Sequence, residues 1–244
     1  MFDRRAERRR FRDRVLGGEP VLGIVVSLPS DAVIDIVATA GFDFAMVDLE
    51  HSQLGEGEAL RLVRHAYALG FPAVARLADV DRRLVNRLLE AGAGGIQVST
   101  IRRARQVEEL VEATTYAPHG RRSIALGHAG AGYGAVPLAE AAGADPPLLI
   151  GQIETAVTDD PLSAIAAAGL DVLFAGTVDL ATDLGFDARR LQERVTEIRV
   201  AASAAGIALG AYAQDRSHLA EGARYGIVSS DVSLLRLGAR GLLS

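Results

Sequence analysis

The sequence contains no cysteine and no lysine, so all 26 of its basic residues are arginine. Without cysteine, the chain cannot form disulfides, a thiolate nucleophile or a thiolate metal site. Without lysine, it has no side-chain amine for a Schiff base. These two absences exclude lysine-dependent aldolases and any enzyme that binds pyridoxal phosphate covalently.

Long apolar runs and a strong excess of charge are also missing. The 244 residues are 49% hydrophobic and 23% charged, with a formal net charge of -5. Such a composition predicts a globular protein and gives no support for nucleic-acid binding. No apolar run reaches the ~18 residues that a membrane span needs. The arginine-rich first residues lack the apolar core of a secretory signal. We therefore expect no membrane association and a cytoplasmic location.

Short apolar segments alternate with stretches of helical periodicity along the chain. This alternation predicts a parallel sheet with right-handed crossovers. Eight such units in ~250 residues match a closed (β/α)₈ TIM barrel, which we expect to form one domain over residues 1–244. An open doubly wound sheet is the alternative, but no glycine-rich dinucleotide fingerprint follows the first strand. The predicted strands are 21–27, 44–47, 72–76, 96–98, 148–153, 171–175, 208–211 and 227–230.

Three segments outside the strands carry further expectations. The arginine-rich helix at 2–16 is expected to be solvated or to face another subunit. The pattern at 217–225 predicts a helix. The glycine-containing stretch 116–145 has the length of a lid or binding loop. Two of its side chains, His119 and His128, are therefore candidates for contact with a substrate.

Polar and ionisable side chains follow several of the predicted strands. In a TIM barrel, the carboxyl ends of the strands meet at the catalytic mouth, so we expect these side chains to converge. They are Asp48, Glu50 and His51 after the second strand, Arg76 after the third, Gln152 and Glu154 after the fifth, and Asp179 in the loop after the sixth.

Glu154 and Asp179 are oxygen ligands on neighbouring strands. Two carboxylates, with the remaining positions left to water and substrate, suit Mg²⁺ or Mn²⁺. Zinc is less well matched, because no pair of histidines has ligand spacing. Such a metal could chelate a 2-oxo acid and stabilise its enolate. Plainer readings remain open: Asp179 as a helix cap, and Glu154 as a buried acid that needs a partner.

Arg76 and His51 complete the predicted chemistry. Arg76 could place a fixed cation beside the developing enolate oxygen, or could simply pair with Asp48. His51 is suited to carry a proton near neutral pH, with Asp48 or Glu50 orienting it or a water. Asp231, after the last strand, is interpreted as a cap rather than a ligand.

These motifs resemble the HpcH/HpaI family of metal-dependent 2-oxo-acid aldolases, in the phosphoenolpyruvate/pyruvate superfamily of barrels. Residues 40–51 read AGFDFAMVDLEH, similar to the family's AGFDW followed by D-x-EH. Residues 152–155 read QIET, as in the family. Residues 176–185 read GTVDLATDLG, similar to GPADLSADLG, and residues 116–122 read YAPHGRR, similar to YPPxGxRG. Ala75-Arg76 matches another strand end.

The resemblance implies roles for individual residues. His51 would be the catalytic acid/base, with Asp48 as its partner in activating water, and Arg76 would stabilise the enolate. A divalent metal (Mg²⁺, Mn²⁺ or Co²⁺) would bind the remaining two carboxylates, with a glutamine beside them. Backbone N–H groups would hold the substrate carboxylate. The metal ligands would be Glu154 and Asp179, and the glutamine would be Gln152. The backbone positions would be Gly176, Thr177 and Val178.

The implied reaction is aldol cleavage or formation of 4-hydroxy-2-oxo acids through a pyruvate enolate. The partners would be a 2-oxo acid of the pyruvate or oxaloacetate type and an aldehyde. The family also implies a homo-oligomer, a dimer or trimer of dimers, whose eighth helix (here 232–240) is exchanged between protomers.

Four departures from the family pattern leave the substrate open. Thr177 and Ser99 replace prolines, Ser123 replaces a glycine, and residues 124–134 have a different composition. Two alternatives are therefore kept. The same enolate could serve oxaloacetate decarboxylation or a biosynthetic condensation. From another class, the chain could be a non-catalytic barrel that binds a 2-oxo acid.

Overall fold

Eight parallel strands close into a barrel in the computed structural model, which describes residues 4–143 and 146–243. Each strand pairs with the next along the chain, and β8 pairs with β1. The predicted (β/α)₈ barrel is therefore confirmed. The strands are β1 (Val21–Val26), β2 (Phe44–Asp48), β3 (Ala73–Leu77), β4 (Gly95–Val98), β5 (Leu148–Ile153), β6 (Val172–Ala175), β7 (Ala208–Tyr212) and β8 (Ala223–Ser230).

Helices surround the barrel and cover its ends. They are α1 (Arg4–Leu16), α2 (Asp31–Thr39), α3 (Glu56–Leu69), α4 (Arg82–Ala91), α5 (Ala104–Thr114), α6 (Leu138–Ala142), α7 (Leu162–Ala167), α8 (Thr177–Asp183), α9 (Ala188–Ala205) and α10 (Asp231–Gly241). Two 3₁₀ segments cover Ala129–Gly134 and Arg216–Glu221. None of the helices in the described ranges is long and apolar enough to cross a membrane.

Two sequence predictions fail in the last third of the barrel. The helix expected at 217–225 is a 3₁₀ segment that ends at Glu221, and Ala223 already belongs to β8. Asp179, expected in a loop, lies in the first turn of α8. The sequence around it is too short to show a helical period, so the tertiary setting decides its structure.

Alternate residues of each strand face the barrel interior, as the twofold period of a strand requires. On β2, Phe44 and Met46 pack inside the barrel, while Ala45 and Val47 pack against the surrounding helices. The next inward position on β2 is Asp48. The same alternation places polar side chains inward at the carboxyl ends of the neighbouring strands, where the apolar filling stops.

Helix α1 covers the amino-terminal end of the barrel. Phe11 is buried and its ring lies 5.3 Å from that of Phe44 at the start of β2. Arg12 Nη2 donates to Asp171 Oδ1 at 2.8 Å, immediately before β6. The expectation of a solvated or subunit-facing helix is therefore wrong for this face of α1. The arginines give it a polar outer face, while its apolar stripe fills the open end of the barrel.

The segment that follows α5 also lies at the amino-terminal end. His128 lines a cavity there together with Gly94 and Pro147, which directly precede β4 and β5. Within one protomer, this segment is far from the carboxyl ends of the strands, so the structure contradicts the expectation that His119 and His128 meet a substrate there. Ala144 and Asp145, at the end of that predicted loop, lie outside the described residues, as do residues 1–3 and 244.

Candidate active site

A buried ion pair lies at the mouth of the barrel, between the ends of β2 and β3. The strand register places Asp48 directly beside Arg76. Arg76 donates from Nε to Asp48 Oδ1 at 2.8 Å and from Nη2 to Oδ2 at 2.6 Å. Both side chains are almost fully buried. The geometry is the bidentate fork that arginine forms with a carboxylate.

Backbone groups complete the environment of the Asp48 carboxylate. The N–H groups of Glu50 and His51 donate to Oδ1 at 3.0 and 3.3 Å. Burial alone would raise the pKa of Asp48, but the hydrogen bonds and charge of Arg76, with these N–H groups, lower it below its usual value. Burial likewise opposes the charge of Arg76, and Asp48 outweighs it, so the arginine pKa is raised. Both groups are ionised at neutral pH.

Asp48 is therefore the partner of Arg76. Its carboxylate accepts a hydrogen bond from the backbone N–H of His51, and in the described part of the chain no hydrogen bond joins it to the His51 ring. The His51 side chain is 59% exposed, and its Nε2 lies 3.6 Å from Glu50 Oε2. Of the two acids considered as partners of His51, the geometry favours Glu50.

Glu50 lies between the histidine and the rest of the site. Its Oε2 accepts from Ser99 Oγ at 2.5 Å and lies 3.5 Å from Arg76 Nε. Burial raises the pKa of Glu50, and repulsion from Glu154 adds to the rise, against the lowering by Ser99, Arg76 and His51. A carboxyl group whose pKa is raised above its usual value is suited to proton transfer.

Glu154 is buried at the end of β5 and has the partners that a buried carboxylate needs. Its Oε1 accepts from Thr100 N at 2.8 Å and from Thr100 Oγ1 at 2.5 Å, and its Oε2 accepts from Gln152 Nε2. Thr100 has a φ of 49°, in the left-handed region that a β-branched residue rarely adopts. This strained turn aims both of its donors at Glu154.

A line of buried amides fixes the orientation of Gln152. Its Oε1 accepts from Gln97 Nε2 at 2.5 Å, and Gln97 Oε1 accepts from Tyr225 Oη at 3.1 Å. Because the Glu154 carboxylate can only accept, Gln152 presents its N–H₂ group to Glu154. The Gln152 oxygen then accepts from Gln97, and the Gln97 oxygen accepts from the tyrosine hydroxyl.

Gly176 brings the chain after β6 close to Glu154. A Cβ atom at this position would lie 2.8 Å from Glu154 Cβ, 2.9 Å from Gln152 Nε2 and 3.0 Å from Glu154 Oε2. A side chain at this position would push the segment after β6 away from Glu154 and Gln152. The next residues form the first turn of α8, which carries Asp179. Asp179 is exposed and, within the described residues, has no hydrogen bond or ion pair.

These features fit a divalent metal with oxygen ligands. Glu154 is held in place, Asp179 is unpaired, and the close approach at Gly176 joins the two segments that carry them. The donors are carboxylates, as Mg²⁺ or Mn²⁺ prefers. No group of three or more His, Asp or Glu side chains with metal-binding geometry occurs in the described residues. A metal held here would therefore depend on water and substrate for its other ligands.

Tyr212, at the end of β7, is a residue of the mouth that sequence reasoning missed. Burial raises its pKa, Asp48 and Asp179 add to the rise, and Arg76 opposes it. Its ring stands edge-on to Phe174 at 5.4 Å, and 37% of the residue is exposed. The predicted strand stopped at residue 211, so the tyrosine was not recognised as a strand end.

The structure brings most of the predicted residues together, at the ends of β2, β3, β5 and β6. His51 is at the open edge, and Gly176, Thr177 and Val178 form the start of α8. Besides Tyr212, three polar residues of β4 and its loop belong to the site without having been predicted: Gln97, Ser99 and Thr100. The glutamine inside the apolar strand GIQV was the available signal.

The sequence that builds this site matches a family model over nearly the whole chain. The model for HpcH/HpaI aldolase/citrate lyase matches residues 22–237. The match begins in β1 and ends in α10, so it includes every residue of the mouth described above.

Curated relatives cover almost all of the chain. A hydroxypyruvate/pyruvate aldolase of Paraburkholderia phytofirmans is 32% identical over 96% of this chain and 95% of its own. A 2-keto-3-deoxy-L-rhamnonate aldolase of Klebsiella pneumoniae is 30% identical over 92% and 88%.

Solved structures have the same fold. A HpcH/HpaI aldolase/citrate lyase family protein from Burkholderia cenocepacia superposes with a TM-score of 0.85 at 30% identity, over 98% of this chain and 97% of that one. The citrate synthase SbnG superposes with a TM-score of 0.83 at 26% identity, over 95% of both chains.

Proposed function

Because the chain belongs to the HpcH/HpaI aldolase/citrate lyase family, we propose that it is a carbon–carbon lyase that cleaves or forms 4-hydroxy-2-oxo acids. The reaction proceeds through the enolate of pyruvate. The observation that carries the proposal is the buried, bidentate Asp48–Arg76 pair beside a second group of carboxylates at the barrel mouth. It provides a fixed cation where an enolate oxygen would develop charge.

Arg76 stabilises the enolate because its position is preorganised. The Asp48 carboxylate holds Nε and Nη2, so the guanidinium does not reorient when charge develops. Asp48 is thus a positioning residue for Arg76.

Glu50 and His51 carry the proton. The Glu50 carboxyl has a raised pKa, and its Oε2 lies within 3.6 Å of His51 Nε2. Apo geometry of this kind is loose, and it tightens when substrate fills the mouth. His51 exchanges a proton with the substrate and solvent, and Glu50 orients the ring.

Glu154 and Asp179 would hold a divalent metal, which would supply Lewis-acid polarisation of the oxygens of the 2-oxo acid. The Gln152 amide keeps Glu154 in place. The first N–H groups of α8, at Thr177 and Val178, lack intrahelical partners and face the substrate carboxylate, while Gly176 lets them approach it.

Exchange of the methyl protons of pyruvate with deuterated solvent tests the enolate directly. We expect exchange that requires Mg²⁺, Mn²⁺ or Co²⁺ and that survives borohydride. Glu154→Gln should abolish the exchange, because the neutral amide replaces a charged ligand of the metal. Glu193→Gln, an exposed change on α9 where Glu193 pairs with Arg189, is the matched control. If Glu154→Gln exchanged pyruvate at the normal rate, the metal assignment would be wrong.

A retro-aldol screen of 4-hydroxy-2-oxo acids, coupled to pyruvate detection, identifies the substrate. A second candidate function uses the same enolate for oxaloacetate decarboxylation or for condensation with an acid acceptor, and the similarity to the citrate synthase SbnG favours the condensation. Oxaloacetate and acyl donors are therefore included in the screen. Condensation or decarboxylation without aldehyde cleavage would favour the second function. Tight pyruvate binding without any turnover would indicate the non-catalytic barrel.

The assembly is part of the same proposal. The eight strands close the barrel without any help from the outer face of α10. That helix exposes a row of apolar side chains: Val232, Leu234, Leu235 and Leu237. Asp231, at its start, accepts from the N–H groups of Ser27 and Leu28 at 2.9 Å, and so anchors the helix to β1. We infer that residues 1–244 form one domain and that α10 packs on a second copy in a homo-oligomer. Sedimentation of Leu235→Glu, which should give monomers, tests this.

A further inference from the structure

A small cavity lies at the amino-terminal end of the barrel, opposite the proposed catalytic mouth. Its volume is about 30 Å³, which is room for one or two groups the size of a water molecule. Within the described residues, its lining contains cationic and aromatic side chains but no carboxylate. The polar lining residues are Arg8, Tyr116, Arg122 and His128.

Arg122 is a part-buried cation, and no carboxylate pairs with it among the described residues. Burial lowers the pKa of Arg122 and outweighs the opposing effects of Tyr116 and Glu90. Nε donates to Asn86 Oδ1 at 3.3 Å, and the guanidinium lies 4.6 Å from the centroid of the Tyr116 ring. The terminal nitrogens have no acceptor in the part of the chain that the structure describes.

Glu90, whose charge acts on Arg122, accepts a hydrogen bond from Asn86 and has none with the guanidinium. Its Oε1 accepts from Asn86 Nδ2 at 3.0 Å, so Asn86 stands between the acid and Arg122. Arg76, which is almost fully buried, has a bidentate carboxylate instead. A cation that is partly withdrawn from water and has no counter-charge is costly, so Arg122 favours a negatively charged ligand.

His128 has an unpaired nitrogen on the same cavity. Its Nε2 lies 2.8 Å from the carbonyl oxygen of Ala125. Because a carbonyl can only accept, Nε2 carries a proton. Nδ1 is buried and has no hydrogen-bond partner among the described residues. A Cβ atom at Gly130 would lie 3.3 Å from Nδ1, so the glycine keeps this space open.

We propose that the cavity is an anion site, in which Arg122 and His128 bind one small monovalent anion. The guanidinium fork donates to it from one side, and the protonated ring donates from Nδ1 on the other. The size of the cavity limits the ligand to a halide or the carboxylate of a small acid. The anion would join α4 to the segment after α5 at the closed end of the barrel.

Chloride NMR line widths on the full chain test the proposal, titrated in a buffer of bulky organic anions. We expect saturable broadening from one site per protomer. Arg122→Gln should weaken binding at least about tenfold, the size of one lost charge-assisted hydrogen bond. Arg121→Gln is the matched control, because Arg121 is 71% exposed and pairs with Glu112 on the surface. It should leave the broadening unchanged.

Two further measurements keep the proposal testable if Arg122→Gln does not fold. Gly130→Ala leaves Arg122 in place but narrows the space at Nδ1, and should also weaken chloride binding. Bromide in crystals of the unaltered chain should give an anomalous peak between Arg122 and His128.

Formate competition distinguishes the two sources of anion. Displacement of chloride by formate would assign the site to carboxylates as well, and resistance to formate would restrict it to halides; either result supports an anion site. No chloride or bromide binding at this cavity, or binding that Arg122→Gln leaves intact, would overturn the proposal.

Discussion

At the scale of single residues, the mouth depends on charges that are buried together. Asp48 and Arg76 are each expensive to bury, and the bidentate contact offsets that cost only while both are present. Glu50 is the opposite case: burial raises its pKa and repulsion from Glu154 adds to the rise, although Ser99, Arg76 and His51 oppose it. The Asp48–Arg76 pair makes the site rigid, and the raised pKa of Glu50 suits it to proton transfer.

Asp48→Asn should destabilise the protein by about 3–5 kcal/mol, because Arg76 loses its counter-charge in a buried site. Urea unfolding at neutral pH measures the loss. Asp159→Asn removes an exposed acid that pairs with Arg102 and Arg103, and should cost about 1 kcal/mol or less. The pKa of Asp48 is lowered, so its contribution is complete above the usual aspartate pKa and disappears as pH falls through the folded-state value. Equal losses for the two variants would contradict the buried pair.

Glu50→Gln should stabilise the protein at neutral pH and slow catalysis. The raised pKa means that the folded state holds the Glu50 proton more tightly than the unfolded state does. Stability is therefore greatest below the usual glutamate pKa and falls as pH rises through it to the folded-state value. The amide does not titrate, so the difference in thermal midpoint between variant and parent should grow across that interval. A difference that is constant with pH would rule out this explanation.

At the scale of elements, the turn between β6 and α8 decides whether the two proposed metal ligands meet. The strand ends beside Glu154, and α8 begins at once with Asp179 in its first turn. Only a residue without a side chain fits where the turn touches Glu154 and Gln152. The short helix is held by this contact and by its neighbours more than by its own sequence.

Gly176→Ala should therefore lower activity much more than stability. The added methyl group would meet Glu154 Cβ at 2.8 Å and push the start of α8 outwards. We expect loss of metal-dependent pyruvate exchange of at least tenfold in a protein that remains folded by circular dichroism, since about 1.4 kcal/mol corresponds to a factor of ten. Gly57→Ala in α3 is the control, because no atom lies within 4 Å of the added methyl. Normal exchange in Gly176→Ala would show that the close approach is not needed.

At the scale of the whole molecule, the barrel has one open end and one closed end. Helix α1 and the segment after α5 cover the amino-terminal end, and the polar mouth occupies the other. Stability and chemistry are thereby separated along the barrel axis, as is general for this fold. Changes at the closed end should alter unfolding and leave the reaction intact.

Phe11→Ala should destabilise the protein by about 3–5 kcal/mol, because it removes a buried ring that packs on Phe44. Denaturant unfolding measures this loss, and kcat for the folded fraction should not change. Leu16→Ala, at a half-exposed position of the same helix, should cost far less. Similar losses in both variants would mean that α1 does not close the barrel.

Much of the barrel could be predicted because each strand is a local apolar run with its own boundary signals. β5 was predicted to the residue, and the acids at the ends of β2 and β5 were recognised as site residues for the same reason. The roles within the site were less accessible. Asp48 and Arg76 are 28 residues apart, and only the register of β2 on β3 places them side by side.

The sequence by itself determined the alternating pattern, the exclusion of Schiff-base chemistry and the motifs of the mouth, because these depend on residue types and local order. Tertiary structure decided which acid serves which partner: Asp48 holds Arg76, and Glu50 approaches His51. It also decided that the arginine-rich helix closes the barrel and that the glycine-containing segment lies at the opposite end from the mouth. These features depend on contacts between residues far apart in the chain, which no local pattern encodes.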